Sequence, residues 1–164
     1  MRLSPLLLAF ALTASAVSVA NDARAQQAPI DPVSAALVAD GRGALEAGDL
    51  VAADNAFETA LVADPRNVAA YVAMAEVAIA QNLYGQAIRQ TRKGLNIDPT
   101  DRAALAVQGE AFAALGAEER ARDNAQKLVR ICGEDCAERA DILAALERGP
   151  VLAAKQPDED SAAN

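Results

Sequence analysis

A period of 34 residues in the middle of the chain constrains the fold more than any other feature of the sequence. The dipeptide Asp64-Pro65 recurs as Asp98-Pro99, and the turn-forming residues Gly48, Asn82 and Gly116 follow the same step. Each turn-forming residue lies between two stretches of about fourteen residues whose apolar positions have helical spacing. Gly or Asn is suited to end a helix, and Pro stops a helix shortly after its last turn. The repeating unit is therefore predicted to be a helix, a turn and a second helix.

The composition favours helices and excludes several classes of enzyme. Hydrophobic residues make up 52% of the 164 residues but aromatic residues only 3%, and about a quarter of the chain is alanine, which is typical of closely packed helices and not of β-sheets. The chain has no histidine and no tryptophan, so Ser-His-Asp catalysis, Cys-His catalysis and His-ligated zinc are excluded. With 15 basic and 23 acidic residues the net charge is −8, which makes nucleic acid an unsuitable partner.

Residues 1–25 are predicted to be an export signal. Arg2 is followed by an uncharged apolar run over residues 6–19, which is too short to span a bilayer. Ala23-Arg24-Ala25 has the small residues of a signal cleavage site. We expect cleavage before Gln26, no membrane insertion of the mature chain, and a location in the bacterial periplasm. Residues 26–33 are expected to form a flexible N-terminal segment.

The repeated residues resemble the tetratricopeptide repeat (TPR) family, whose 34-residue pattern is W-x2-L-G-x2-Y, then A-x3-F, then P. The matching residues are Ala53, Phe57 and Pro65 in residues 34–67, Tyr71, Ala87 and Pro99 in residues 68–101, and Gly109, Phe112 and Ala121 in residues 102–135. The resemblance implies an all-α fold, a right-handed α-solenoid of three helix-turn-helix repeats. A repeat domain of residues 34–148 would end in a capping helix over residues 137–148, followed by a disordered acidic tail, residues 149–164.

Small residues at matching positions predict close packing between helices. Gly41, Ala75 and Gly109 fall on the first helices of the three repeats. The second helices carry alanine at equivalent positions, namely Ala53, Ala87 and Ala121. Because one helical pair cannot bury its apolar face alone, stacking of the repeats is expected to complete the core.

The resemblance also implies a binding groove, since in such arrays the first helices line a concave surface. The residues that it places there are Val38, Arg42, Leu45, Val72, Glu76, Ile79, Ala106, Glu110 and Ala113. Only Arg42 among them is basic, which argues against a clamp for a peptide carboxylate. Aliphatic walls with two acids instead favour a helix or an extended segment that carries Lys or Arg. The alternative is that these charges form a solvated surface without a partner.

Cys132 and Cys136 enclose a short loop between the third repeat and the capping helix. In an exported protein such a pair is predicted to form a disulfide, and Gly133 would allow the tight turn that the bond requires. A redox-active dithiol is the alternative, although Glu134 and Asp135 disfavour the thiolate that this chemistry needs. Metal binding by these thiols and carboxylates would lack further ligands, and no metal or cofactor is expected.

These observations predict a non-catalytic scaffold that binds a protein or peptide partner, an inference that rests on the family resemblance. Two alternatives stay open. The first is a thiol-disulfide redox protein that uses Cys132 and Cys136. The second is a structural protomer that assembles into a homo-oligomer through the ends of its repeats.

Overall fold

The computed structural model describes residues 29–151, which form seven helices and no strand. The helices are α1 (Pro32–Glu46), α2 (Leu50–Ala63), α3 (Val68–Ala80), α4 (Tyr84–Ile97), α5 (Arg102–Ala114), α6 (Glu118–Cys132) and α7 (Ala137–Arg148). The predicted all-α class is confirmed. Between residues 29 and 151 no helix combines the length and the apolar character needed to cross a membrane. The predicted export signal and residues 152–164 lie outside the described residues.

The turn inside each repeat has the backbone conformation that its sequence predicts. Gly48, Asn82 and Gly116 have positive φ angles of 79°, 59° and 75°, a conformation that Gly and Asn adopt at low cost. At the first turn the Asp49 N–H donates to the Ala44 carbonyl at 2.9 Å, and the same bond recurs 34 and 68 residues further on. This bond satisfies a carbonyl that the end of the helix would otherwise leave unpaired.

The link between repeats uses the two Asp-Pro dipeptides. Asp64 and Asp98 end α2 and α4 in an extended conformation, as expected for residues that precede proline. The Asp64 carboxylate accepts a hydrogen bond from the Arg66 N–H at 2.9 Å, and the Asp98 carboxylate accepts one from the Thr100 N–H at 2.9 Å. The two turns are thus built in the same way.

Within each repeat the two helices pack on each other, α1 on α2, α3 on α4 and α5 on α6. Successive repeats meet through α2 with α3 and α4 with α5, and α7 packs against both α5 and α6. The core consists of two clusters. The N-terminal cluster surrounds Phe57 and includes Val38 and Met74. The C-terminal cluster includes Leu105 and Ile142 and joins α3 through α7. The array therefore has a continuous succession of packed helices from α1 to α7.

Two glycines allow the close helix packing that the sequence predicts. A Cβ at Gly41 would overlap the ring of Phe57 in α2, and a Cβ at Gly109 would lie 2.5 Å from Cδ1 of Ile142 in α7. The alanines predicted to pack on the second helices, Ala53, Ala87 and Ala121, are fully buried. Small side chains thus set the spacing between helices both within a repeat and between repeats.

The first helix begins earlier than the sequence indicates. Residues 26–33 were expected to be flexible up to the start of the repeats, whereas α1 begins at Pro32. Asp31 caps this helix because its carboxylate accepts hydrogen bonds from the Val33 and Ser34 N–H groups at 2.8 and 3.2 Å. The Asp31 N–H in turn donates to the Asp64 carboxylate at 3.1 Å. A capping residue followed by proline thus starts the helix two residues before residue 34.

The chain after α7 also differs from the expectation of a disordered tail that begins at residue 149. The Val151 N–H donates to the Ala114 carbonyl at 3.0 Å, and Pro150 lies beside Gly116. Residues 149–151 therefore lie against the end of α5. Gly149, with φ of 73°, allows the turn that returns the chain to this helix.

A disulfide joins Cys132 at the end of α6 to Cys136 before α7, with the Cα atoms 5.7 Å apart. Gly133 follows α6 with φ of 89°, which provides the tight turn expected at this point. Cys136 is buried and contributes to the C-terminal cluster. The disulfide thus connects the third repeat to α7.

Candidate functional site

Four of the nine residues predicted to line a groove are buried in the core. Val38, Val72, Ala106 and Ala113 are exposed by 6% or less. Helices with small side chains approach closely, so positions that face a neighbouring helix are covered by it. For Val38, Val72 and Ala113 the interpretation as surface residues is therefore wrong, because they belong to the two core clusters. Ala106 lies at the floor of a cavity.

The accessible members of the predicted set are Arg42, Leu45, Glu76, Ile79 and Glu110. Arg42 and Glu76, which occupy equivalent positions in successive repeats, form an ion pair with Nη1 and Oε2 3.3 Å apart. Both side chains are partly exposed, at 44% and 30%, so solvent screens their attraction. Burial raises the pKa of Glu76 above its usual value, and the positive charge of Arg42 opposes this effect.

An acidic cavity of about 260 Å³ lies between α3, α5 and α7. Four carboxylates line it, those of Glu76, Glu110, Glu138 and Asp141. The apolar part of the wall comes from Ile79, Ala103, Ala106 and Val107. Glu138 is paired with Arg102 at 3.3 Å. The cavity thus combines aliphatic walls with several negative charges, a lining that suits the methylene stem and charged head of a basic side chain.

Glu110 lies between the charges of two helices. Burial is the main cause that raises its pKa, and the negative charge of Asp141 raises the pKa further. The positive charge of Arg148 lowers it, while Glu76 adds a small increase. The ionised form of Glu110 is therefore less favoured than that of a glutamate in water, and a bound cation would stabilise it.

A second cavity of about 280 Å³ adjoins the acidic cavity and shares Ile79 and Glu110 with it. Its lining includes Tyr84 from α4, the cation Arg148 at the end of α7, and Pro150 and Val151 from the segment after α7. We call the two cavities together the concave groove. Its surface combines an acidic part with an apolar part, as an amphipathic ligand requires.

Sequence reasoning missed the contribution of α7 to this groove. Glu138 and Asp141 belong to the helix that was interpreted as a cap only. The 34-residue step could have revealed them, because Ala35, Ala69 and Ala103 are followed by Ala137 at the same interval. This register makes α7 equivalent to the first helix of a fourth repeat, and the first helices are those expected to line the groove.

The disulfide lies next to one wall of the groove. Glu138 Oε2 is 3.0 Å from Sγ of Cys136. The three side chains Cys132, Cys136 and Glu138 lie close enough to hold an ion. While the bridge is intact, however, its sulfurs are not thiolates, and thiolate is the form that binds metal. In this state the bridge acts as a structural link between α6 and α7.

Comparisons with known proteins agree with this architecture. A family model of the tetratricopeptide repeat matches residues 44–111, whereas a comparison with curated protein sequences found no match. The first TPR of Spaghetti (RPAP3), bound to the HSP90 peptide SRMEEVD, is 17% identical, with 74% of this chain and 96% of that chain covered and a TM-score of 0.65.

Two further solved structures have the same fold. The Sgt2 TPR domain from Aspergillus fumigatus is 18% identical, with 82% of this chain and 89% of that chain covered and a TM-score of 0.65. The second TPR domain of human RPAP3, in complex with the HSP70 peptide SGPTIEEVD, is 16% identical, with 70% and 98% covered and a TM-score of 0.60. The described part of this chain therefore has the fold of an array of about three tetratricopeptide repeats, and residues 44–111 match the family model.

Proposed function

We propose that this chain is a non-catalytic scaffold of the bacterial periplasm that binds a protein segment carrying Lys or Arg in its concave groove. The acidic cavity is the observation that carries the proposal. Its four carboxylates surround a space with aliphatic walls, and two of them, Glu76 and Glu110, are partly desolvated. A basic side chain in this space would compensate charges that the chain alone leaves crowded.

The structural neighbours support binding of a peptide and suggest that the charge preference here is reversed. The first TPR of Spaghetti (RPAP3) and the second TPR domain of human RPAP3 were solved with peptides that end in EEVD, which are acidic. Four of the five charged residues that line the groove of this chain are acids, and Arg148 is the fifth, so an acidic peptide would meet repulsion in it. We infer that the same fold serves here for a ligand of the opposite charge.

The apolar part of the groove determines what else the ligand carries. Ile79 lies where the two cavities meet, and Tyr84 and Val151 line the second cavity. An aliphatic side chain one or two helical turns from a Lys or Arg could fill this second cavity. An amphipathic helix has this spacing, and helix-in-groove recognition is a common mode of peptide binding.

The proposed location depends on the predicted export signal. We expect exported material to begin at Gln26, as determined by intact mass and N-terminal sequencing. A full-length species recovered with the membrane fraction would contradict the proposed cleavage.

Selection from a random peptide library displayed on phage, with the full chain immobilised, tests the binding specificity. We expect enriched peptides to combine Lys or Arg with aliphatic residues. The matched control is the double variant Glu76→Arg and Glu110→Arg, on which these peptides should no longer be enriched, since reversed charges repel them. Enrichment of acidic or uncharged peptides on the unmodified chain would contradict the proposal.

A further inference from the structure

A second groove, distinct from the concave groove, lies between α4 and α6 over α5 and has a volume of about 210 Å³. Three cationic side chains line it, those of Arg92, Arg120 and Lys127, together with one acid, Asp123. All three cations are exposed, and among residues 29–151 none of them forms an ion pair. We call this surface the cationic groove. Its positive charge contrasts with the net negative charge of the chain.

A buried polar network holds one of these cations in place. Lys127 Nζ donates to Oδ1 of Asn124 at 3.2 Å. Asn124 is 2% exposed, and its Nδ2 donates to Oε1 of Gln108 at 3.1 Å and to the Leu105 carbonyl at 3.1 Å. Gln108 in turn donates from Nε2 to Oγ1 of Thr91 at 3.2 Å. The floor of the groove is thus a connected set of hydrogen bonds that reaches α4, α5 and α6.

A cation–π contact orients a second cation. Cζ of Arg120 lies 3.9 Å from the centroid of the Phe112 ring, a distance at which the ring attracts the guanidinium group. Arg120 keeps its hydrogen-bond donors available to a ligand in this geometry. Side chains that are already oriented lose less conformational entropy when an anion binds.

Residues 150 and 151, the last that the structure describes, lie near one end of the cationic groove. The Val151 N–H donates to the Ala114 carbonyl, and Pro150 lies beside Gly116, in the turn that leads to α6 and Arg120. The run Asp158-Glu159-Asp160 begins seven residues after Val151. Seven residues of extended chain span up to about 23 Å, enough to pass around one helix, whose diameter is about 10 to 12 Å.

We propose that the chain's own segment Asp158-Glu159-Asp160 binds in the cationic groove. Three carboxylates meet three cations there, which outnumber the one acid of the groove, Asp123. The short connection from Val151 raises the effective concentration of the segment. The acidic lining of the concave groove repels the same segment. The contact is electrostatic and weakens as salt concentration rises. It leaves the concave groove available for a basic ligand, and it is independent of the proposed function.

Carbodiimide cross-linking of the full chain, followed by mass spectrometry, tests the proposal. The reagent joins a carboxylate to an amine only when the two are in contact. We expect an amide between Lys127 and one of the residues 158–160, with a yield that falls severalfold as salt is added. Lys93, whose amine lies over the Tyr71 ring, 5.8 Å from its centroid, is the internal control and should form no such link.

Variants of the groove separate a specific contact from a random one. The double variant Arg92→Gln and Arg120→Gln keeps the Lys127 amine and should lower the cross-link yield severalfold, while its circular dichroism stays unchanged. Equal cross-linking of Lys127 and Lys93, or a yield unaffected by the double variant, would overturn the proposal. Cross-links that join isotopically labelled and unlabelled copies in a mixture would also overturn it, because they would place the segment of one chain in the groove of another.

Discussion

Glu76 and Glu110 occupy equivalent positions in successive repeats, at the two ends of the concave face, yet their electrostatic surroundings differ. At the N-terminal end Glu76 is paired with Arg42 at 3.3 Å, and this positive charge opposes the effect of burial on its pKa. At the C-terminal end Glu110, one repeat later, lies near Asp141 of α7, which raises its pKa in addition to the effect of burial, and near Arg148, which lowers it. The position within the repeat places each carboxylate on the concave face. The neighbouring helices decide which charges lie near that carboxylate: a cation alone near Glu76, and an acid together with a cation near Glu110.

This difference assigns α7 a role beyond capping the core. The helix covers the apolar face of α5 through Ile142, and it supplies Glu138 and Asp141 to the acidic cavity. Loosening α7 should therefore affect stability and binding together. Loosening the N-terminal end should affect stability alone.

The largest expected effect comes from removing the core side chain that holds each end. Ile142→Ala and Phe57→Ala both empty a fully buried site. The first should lower the free energy of unfolding by about 2 to 5 kcal/mol and the second by about 3 to 5 kcal/mol. Urea denaturation measures both losses. At a temperature where both variants are folded, Ile142→Ala should bind a selected basic peptide severalfold more weakly, while Phe57→Ala should keep nearly full affinity.

The Phe57→Ala variant is the control for a general loss of order. Equal loss of affinity in the two variants would mean that the groove depends on the stability of the whole array. It would then have no special dependence on the position of α7.

Removal of the disulfide should loosen α7 with a smaller loss of stability than Ile142→Ala. The double variant Cys132→Ser and Cys136→Ser opens a very short loop, for which the chain-entropy model gives about 2 kcal/mol. We expect a loss of stability of this size, together with a weaker affinity for the basic peptide, because the bridge lies beside Glu138. Urea denaturation and peptide titration of the double variant measure the two effects, and the unmodified chain with reductant should reproduce them. An unchanged affinity would show that packing alone positions α7.

The pH dependence of binding should show a smaller effect. The pKa values of Glu76 and Glu110 are raised in the folded chain above their usual 4.5, so these groups take up protons on folding between 4.5 and their raised values. In that window their contribution to the free energy of unfolding increases as pH falls, whereas the affinity for a basic peptide decreases as negative charge is lost. Peptide titrations from neutral pH down to pH 4.5 measure this decrease. The double variant Glu76→Gln and Glu110→Gln should bind weakly and with a flatter pH dependence.

The pKa of Asp64 is shifted in the opposite direction and provides a contrast at lower pH. The Arg66 backbone N–H, followed by that of Asp31, holds the pKa of Asp64 below its usual 3.8. The stabilising contribution of Asp64 is therefore complete above 3.8 and is lost as pH falls through the lowered value. Acid unfolding that involves this turn should thus begin below the pH range in which binding weakens.

The architecture could be predicted from the sequence because the residues that end each helix act locally. A Gly or Asn at each turn and an Asp-Pro after each second helix fix the helix ends without reference to the rest of the chain. Gly41 and Gly109 could be recognised as sites of close helix contact, because a glycine at the same position of two repeats indicates that a neighbouring helix lies where a side chain would be. The helix start at Pro32 was missed because the Asp31 cap also depends on Asp64, 33 residues away.

The site could be predicted only in part. Glu76 and Glu110 were recognised from their register, but register alone does not show which apolar neighbours the next helix covers, so Val72 and Ala113 were wrongly placed on the surface. The partner charges Asp141 and Glu138 depend on how α7 docks on α5. That docking depends on the fit of Ile142 against Gly109, which is a property of the packed structure.

A double-mutant cycle between the groove and the basic residue of a selected peptide tests the central claim most directly. Titration calorimetry gives the binding free energy for the unmodified chain and for Glu110→Gln, each with the unmodified peptide and with its Lys or Arg replaced by Ala. If that side chain binds in the acidic cavity, the two changes should be coupled by about 0.5 to 3 kcal/mol, whereas Arg42→Gln should show little coupling to the same replacement. Changes at Glu110 and in the peptide that add within about 0.5 kcal/mol would contradict the claim that the acidic cavity recognises a basic partner.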